Sequence, residues 1–291
     1  MNKINYFIIY LKGMAMGISD LIPGISGGTI ALITGIYDDF ISSLNNLKIK
    51  NIRSILKSDF FLKLKEFKFD FLIFIVLGII TSILVFSKII SNLLINYPQE
   101  ISSFFFGLIL ASIPFIIKDI KIFSFSNLPF FTGSILITYY LLGLNNINGE
   151  ISLIYIFICG FFCSCAMILP GISGAYILLI FSSYDFILEK LNLFLTDFNF
   201  NDFLWIGVFI LGILTGILTF SRFVKYLLQK HKNKTIVFLS GLIIGSLPEL
   251  IPFEITELNT DYLISNSTVF ICFGLGIFLL FGINFMSKNE K

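Results

Sequence analysis

Pro23-Gly24-Ile25-Ser26-Gly27-Gly28-Thr29-Ile30 interrupts one apolar run, and Pro170-Gly171-Ile172-Ser173-Gly174-Ala175-Tyr176-Ile177 interrupts another. The two stretches are copies. At an offset of 147 residues, ten of the sixteen positions 23–38 are identical to their partners, ending with Tyr37-Asp38 opposite Tyr184-Asp185. At an offset of 134, residues 77–88 match 211–222 at eight of twelve positions, and Lys88 stands opposite Arg222. The same offset puts Gly107-Leu108-Ile109 and Pro114 opposite Gly241-Leu242-Ile243 and Pro248. The two offsets differ by 147 − 134 = 13 residues, which is extra length in a basic loop of the first half. The chain therefore reads as one membrane domain built from two repeats, 1–148 and 149–291.

Composition says what surrounds these turns. Of the 291 residues, 56% are apolar and 13% charged, with a mean hydropathy of +0.94. A soluble domain carries about a quarter charged residues. A net charge of +2 gives no phosphate-tracking surface, so a nucleic-acid partner is excluded. Cys159, Cys163, Cys165 and Cys272 lie in apolar runs without metal-ligand or redox spacing and read as small buried hydrophobes. No metal site or cofactor is expected. The one histidine, His231, sits in a lysine-rich loop and reads as solvated. Lys12 interrupts the first apolar stretch and no small-residue cleavage site follows, so a cleavable leader is not expected.

Apolar runs fall at 4–18, 29–44, 71–95, 101–117, 128–144, 151–168, 175–184, 203–228, 236–248 and 268–286. A membrane-crossing helix needs about 20 apolar residues. The run at 71–95 meets this; those flanking the two Pro-Gly turns do not. Segments 4–44 and 151–184 therefore read as re-entrant or broken helical hairpins, each followed by about three spans, 71–144 and 203–286. Basic residues orient the spans. Lys48, Lys50, Arg53, Lys57, Lys63, Lys65 and Lys68 place the loop 45–70 in the cytoplasm. Lys118 and Lys121, then Lys225, Lys230, Lys232 and Lys234, then Lys288 and Lys291 fall on the same side. The segments 185–202 and 249–265 fall outside, with Asp185, Glu189, Asp197 and Asp202 against Lys190, and Glu249, Glu254, Glu257 and Asp261 without a base. Both termini are then cytoplasmic. Three crossings per half is an odd number, so the halves are inverted, an architecture common in secondary transporters.

The chemistry follows from the turns. Pro23-Gly24 and Pro170-Gly171 break backbone hydrogen bonding, so each turn must be buried in protein or line a wet cavity. Ser26 or Ser173 can cap the helix that follows, with Gly27, Gly28 and Thr29, or Gly174, in its first turn. Two such helix starts meeting near the pseudo-axis would present N–H groups to an anion, phosphate above all. Lys88 and Arg222 are ionisable groups in apolar segments, which are functional by default. They read as two basic stations, one toward each face. Asp20 has no counterpart, since Met167 occupies its place. It reads either as a site for a coupling ion, H+ or Na+, or as a carboxylate bonded to N–H groups of the hairpin mouth.

Gly13-Met-Ala-Met-Gly17-Ile-Ser-Asp20-Leu-Ile-Pro23-Gly-Ile-Ser-Gly-Gly28-Thr-Ile and Ala166-Met-Ile-Leu-Pro170-Gly-Ile-Ser-Gly174 resemble the bacterial polyprenyl-phosphate transporter family, formerly a domain family of unknown function numbered 368. The resemblance covers nearly the whole chain. It implies a flippase that returns undecaprenyl phosphate from the outer to the inner leaflet of the cell membrane, for lipid-carrier recycling in cell-envelope synthesis. Ala175 stands where the family commonly has Ser, which weakens the case for a second hydroxyl at that turn.

Three rival readings share parts of this pattern. Undecaprenyl pyrophosphate phosphatases share a Pro-Gly-x-Ser turn, but theirs continues with Arg and they carry an intramembrane glutamate pair. Neither feature is present here, and phosphoryl transfer without a base or nucleophile partner has no machinery. A small-anion channel or exchanger could aim similar helix ends at chloride. A structural scaffold would have no use for doubled broken helices.

Overall fold

The computed structural model describes residues 6–22, 24–48, 51, 53, 60–118, 124–144, 149–197, 200–252 and 267–288. Pro23, Lys50, Lys57, Lys121, Glu254, Glu257, Asp261 and Lys291, all used in the sequence reading, lie outside the described residues. Among the described residues every regular element is helical. We number the α-helices α1 (Tyr6–Asp20), α2 (Gly27–Ile33), α3 (Tyr37–Asn45), α4 (Phe60–Glu66), α5 (Phe69–Asn96), α6 (Pro98–Ile117) and α7 (Leu128–Leu142). The second half contributes α8 (Leu153–Ile168), α9 (Gly174–Ile180), α10 (Tyr184–Asp197), α11 (Phe200–Lys230), α12 (Lys232–Ser246) and α13 (Ser267–Lys288). A 3-10 turn, Leu247–Leu250, extends α12.

Three helices are long and apolar enough to cross a membrane: Phe69–Asn96, Pro98–Ile117 and Asp202–Lys230. Leu128–Leu142, Leu153–Ile168 and Ser267–Gly282 are equally apolar but shorter. On α5, Ile73, Val76, Leu77, Ile80 and Leu84 are exposed, a surface suited to lipid and not to water. The hairpin arms are short. At about 1.5 Å per residue, 15-residue α1 is about 22 Å long and seven-residue α2 about 10 Å, against a hydrocarbon core of about 30 Å.

Glycine sets how closely the helices approach. A Cβ at Gly13 would overlap the carbonyl of Ile75, and one at Gly160 the carbonyl of Phe209. Both residues of each pair are related by the sequence offsets, 13 to 160 by 147 and 75 to 209 by 134. Gly78 against Tyr10 and Gly212 against Phe157 repeat the rule. At the third level the small residues trade places: Gly17 faces Ser82 where Ser164 faces Gly216. The α1–α5 contact therefore recurs as α8–α11. The remaining spans pair differently, α6 with α13 and α12 with α7, so the third span of each half packs on the other half.

Both hairpins break twice. Gly24 (φ 81°) and Gly171 (φ 86°) make the first break, and Gly35 (φ 71°) and Ser182 (φ 46°) make the second, each pair at the 147 offset. The sequence reading ran one arm through 29–44; the left-handed Gly35 ends α2 and redirects α3. It also treated 185–202 as an outside segment. Most of that stretch is helical, as α10 and the start of α11, because the charges of Asp185, Glu189 and Lys190 are interleaved with Phe186, Leu188 and Leu191. Lys190 there forms an ion pair with buried Asp202 at 2.9 Å. Cys159, Cys163 and Cys165 are buried and free, as small core residues. His231 is exposed, at the N-cap of α12.

Candidate functional site

The two Pro-Gly turns meet. Ser26 occupies the N-cap of α2 in extended backbone (φ −126°, ψ 138°), and its Oγ accepts the N–H of Gly28 at 3.1 Å. The same hydroxyl donates to the carbonyl of Leu169, at the end of α8, at 3.1 Å. Thr29 Oγ1 accepts the N–H of Gly171 at 2.8 Å. Tyr37 donates its hydroxyl to the carbonyl of Ile168 at 3.1 Å. Three hydrogen bonds thus tie the first hairpin to the backbone of the second. Gly28 is part of the same seam, because a Cβ there would lie 2.9 Å from the Ile168 carbonyl oxygen. Ser26, Gly27, Gly28, Thr29, Pro170, Gly171, Ser173 and Gly174 are all buried.

The two turns are not equivalent. Asp20 ends α1 and folds its carboxylate back, so that Oδ1 accepts the N–H of Gly27 at 2.6 Å. The first helix start thereby carries a carboxylate and a hydroxyl on its leading N–H groups, the favourable arrangement for a helix N-terminus. At the second turn Met167 takes the place of Asp20 and packs over Gly174, 2.7 Å from where its Cβ would be. Ser173 sits at the N-cap of α9 but makes no side-chain cap bond. This corrects the expectation of a symmetric pair of capped starts: Ser26 caps its helix and Ser173 does not. Thr29 is likewise occupied, since its hydroxyl already holds Gly171.

Asp20 touches the first turn at Gly27, and at the second turn Cys163 of α8 has its Sγ 3.1 Å from a Cβ built on Gly174. No basic side chain pairs with Asp20 among the described residues. Gly24 packs against Glu249, whose Cδ would lie 3.3 Å from a Cβ there. Glu249 is exposed, as the sequence suggested, yet it also borders the first turn.

Lys88 and Arg222 stand away from the turns, both exposed and both without an ion pair among the described residues. Lys88 precedes the end of α5 at Asn96 by eight residues, and Arg222 precedes the end of α11 at Lys230 by eight. Each is therefore about 12 Å from its helix end. Lys88 lines an open concavity of about 430 Å³ with Ser87, Ser91, Asn92 and Ile95. Beside Arg222, the hydroxyl of Ser221 is buried without a hydrogen-bond partner.

Sequence reasoning missed Tyr37 as a cross-hairpin donor, although its match to Tyr184 marked the position. It also missed the carbonyls of Ile168 and Leu169, which no side chain advertises.

Residues 16–268 match the family described as undecaprenyl phosphate translocase-like. The chain belongs to that family. A polyprenyl-phosphate transporter of Vibrio cholerae is 37% identical over 253 residues, 87% of this chain and 80% of the relative. A polyprenyl-phosphate transporter of Staphylococcus aureus is 32% identical over 258 residues, covering 84% and 86%. No solved structure matches. As a member of the undecaprenyl phosphate translocase-like family, the chain is a multi-pass membrane transporter for polyprenyl phosphate and not an enzyme. The phosphatase and anion-channel readings of its turns give way to that membership.

Proposed function

We propose that this translocase carries undecaprenyl phosphate from the outer to the inner leaflet of the bacterial cytoplasmic membrane by alternating access between two inverted halves, and that inward movement of a cation on Asp20 drives it. The interlocked turns carry this reading: Ser26 and Thr29 of one hairpin bond the backbone of the other at Leu169 and Gly171. The short arms support re-entrant hairpins, and the recurrence of the α1–α5 contact in α8–α11 supports two halves of one design. The basic-residue distribution supports cytoplasmic termini.

The phosphate is recognised at the paired turns, Ser26-Gly27-Gly28-Thr29 and Ser173-Gly174, which the breaks at Pro23-Gly24 and Pro170-Gly171 in the sequence introduce. Asp20 already supplies an anion to the first start, so the uncapped second start is the stronger site for phosphate. Lys88 and Arg222 attract and release the headgroup at the two faces, while the polyprenyl tail stays among membrane lipids. Net inward movement of an anion opposes a negative interior by about 2.3 kcal/mol per charge per 100 mV, which a co-transported H+ or Na+ offsets.

The test is leaflet exchange of fluorescent undecaprenyl phosphate in liposomes holding the purified protein, with chloride flux measured alongside. Exchange should fall in the double variant Lys88→Gln, Arg222→Gln. Wild-type exchange rates in that variant would remove the two stations from the mechanism. Chloride flux without lipid exchange would overturn the flippase reading.

A further inference from the structure

We propose that the basic end of α5 forms a docking site for polyprenyl phosphate, three lysines taking its phosphate and an adjoining groove taking the first isoprenoid units. The proposal rests on the transport reading above and names where the cargo is held on the side of the basic loop. The groove is a concavity of about 410 Å³ with apolar walls, lined by Leu47, Leu64, Phe69, Leu72, Ile73 and Val76. It opens on the surface of α5 that suits lipid, where Ile73 and Val76 are exposed.

Charge gathers at its rim. Lys48 directly follows Leu47, and Lys68 directly precedes Phe69, so two wall residues each carry a lysine beside them. Lys225 lies on α11, which packs on α3, the helix that leads into Lys48, and α3 packs in turn on α5, which Lys68 precedes. Three segments far apart in sequence thus each bring a lysine to this packed group of helices. Asp39 pairs with Lys68. Asp38 of the same helix is taken by Lys232, at 3.2 Å. With Asp39 on Lys68 and Asp38 on Lys232, Lys48 and Lys225 have no ion-pair partner among the described residues.

Clustered cations repel one another, and an anion placed among them relieves that repulsion. A phosphomonoester carries about −1.5 to −2 near pH 7 and accepts several charge-assisted hydrogen bonds. A cationic rim on an apolar slot fits a molecule with a phosphate at one end and a hydrocarbon chain behind it. Arg222 stands one helical turn before Lys225, so the station on α11 leads to this rim.

The test uses the full-length protein in nanodiscs of zwitterionic lipid, titrated with undecaprenyl phosphate and read by native mass spectrometry, with leaflet exchange measured on the same preparations. The triple variant Lys48→Gln, Lys68→Gln, Lys225→Gln should bind at least about tenfold more weakly, since each basic group near a membrane surface contributes about fivefold. The corresponding triple Lys→Arg variant should bind like wild type, which separates charge from folding. Val76→Trp, at a position 42% exposed and able to take the larger ring, should weaken undecaprenyl phosphate but leave binding of inorganic phosphate unchanged. Unchanged binding in the glutamine triple, no rescue by arginine, or no effect of Val76→Trp would overturn the site while wild-type exchange leaves the transport reading intact. Equal competition by phosphatidylglycerol would make the rim a general anionic-lipid patch and also overturn the proposal. Absence of both binding and exchange in the wild type would overturn the transport reading, and this site with it.

Discussion

Three glycines adopt left-handed backbone, and the structure ranks what alanine would cost at each. A non-glycine residue in that region costs about 1–2 kcal/mol from the contact of its Cβ with its own backbone. At Gly35 (φ 71°) nothing lies within 4 Å of a built Cβ, so Gly35→Ala carries that cost alone. At Gly24 (φ 81°) the nearest atoms are side-chain carbons of Glu249 and Leu250 at 3.3 Å, which can shift. At Gly171 (φ 86°) the Cβ would lie 2.6 Å from the carbonyl oxygen of Leu242, 2.7 Å from its carbon and 2.9 Å from the nitrogen of Ile243. Those atoms belong to the backbone of α12 and cannot move without displacing the helix. Forced overpacking adds about 1–3 kcal/mol. Gly171→Ala should therefore cost about 2–5 kcal/mol against about 1–2 for Gly35→Ala, with Gly24→Ala near the lower figure.

The assay is thermal unfolding of the three purified variants in one detergent, with leaflet exchange measured in liposomes. The midpoint should fall furthest for Gly171→Ala, and exchange should fail there first because the turn that bonds Thr29 is displaced. Ser182 offers a control: it occupies the Gly35 position of the second hairpin with φ 46°, so Ser182→Gly should raise the midpoint. Equal midpoints for Gly171→Ala and Gly35→Ala would refute the argument that α12 seals the second turn.

Asp20→Asn keeps an oxygen for the Gly27 N–H while removing the charge, so exchange at equilibrium should survive and ion-driven accumulation should be lost; accumulation at the wild-type level would take Asp20 out of coupling. Asp20→Ala leaves that N–H unpaired and should also destabilise the fold by about 1–3 kcal/mol, read as a lower unfolding midpoint than for Asp20→Asn. Thr29→Val strips the acceptor from buried Gly171 and should cost about 1–3 kcal/mol, while Ser26→Ala removes a cap and should cost about 0.5–2 kcal/mol. A double-mutant cycle between them should show coupling, because both bonds tie the same two turns; strictly additive losses would mean that the seam does not act as a unit.

The apolar helices were legible because hydropathy is written residue by residue: α5 was expected at 71–95 and runs Phe69–Asn96. The turns were legible because Pro-Gly has one local meaning in an apolar run. Their partners were not, because the acceptors of Ser26 and Tyr37 are backbone carbonyls, which every residue carries. The second break was half legible. Gly35 is a recognised stop, but its counterpart Ser182 is left-handed (φ 46°) at a residue type that does not mark a left-handed turn. The inequivalence of the turns was visible as Asp20 against Met167, and of the two sequence readings of Asp20 the carboxylate bonded to N–H groups of the hairpin mouth is the one the fold shows, at Gly27. The lysine rim was hidden for a different reason: Lys48, Lys68 and Lys225 belong to segments that come together only when α3, α5 and α11 pack.

The proposal of Asp20 as the one coupling carboxylate has an electrical consequence. A phosphomonoester near pH 7 carries about −1.5 to −2 charges. If Asp20 takes one cation per cycle, as proposed above, Met167 supplies no second acceptor at the matching position. The moving complex then retains about −0.5 to −1, the protein's own charges returning unchanged at the end of the cycle. At about 2.3 kcal/mol per charge per 100 mV, inward transport meets a residual opposition of about 1.2–2.3 kcal/mol at 100 mV, negative inside. The equilibrium ratio of lipid between leaflets should therefore fall by about 7- to 50-fold for each 100 mV, since 1.4 kcal/mol is a factor of ten. Liposomes clamped with valinomycin and graded potassium, loaded with fluorescent undecaprenyl phosphate, measure that ratio directly. A ratio that ignores the potential would mean that the phosphate crosses fully neutralised, and a single carboxylate could not then be the whole of the coupling site. The Asp20→Asn variant in the same vesicles should show the steeper dependence of an uncompensated phosphate, about 3.5–4.6 kcal/mol per 100 mV.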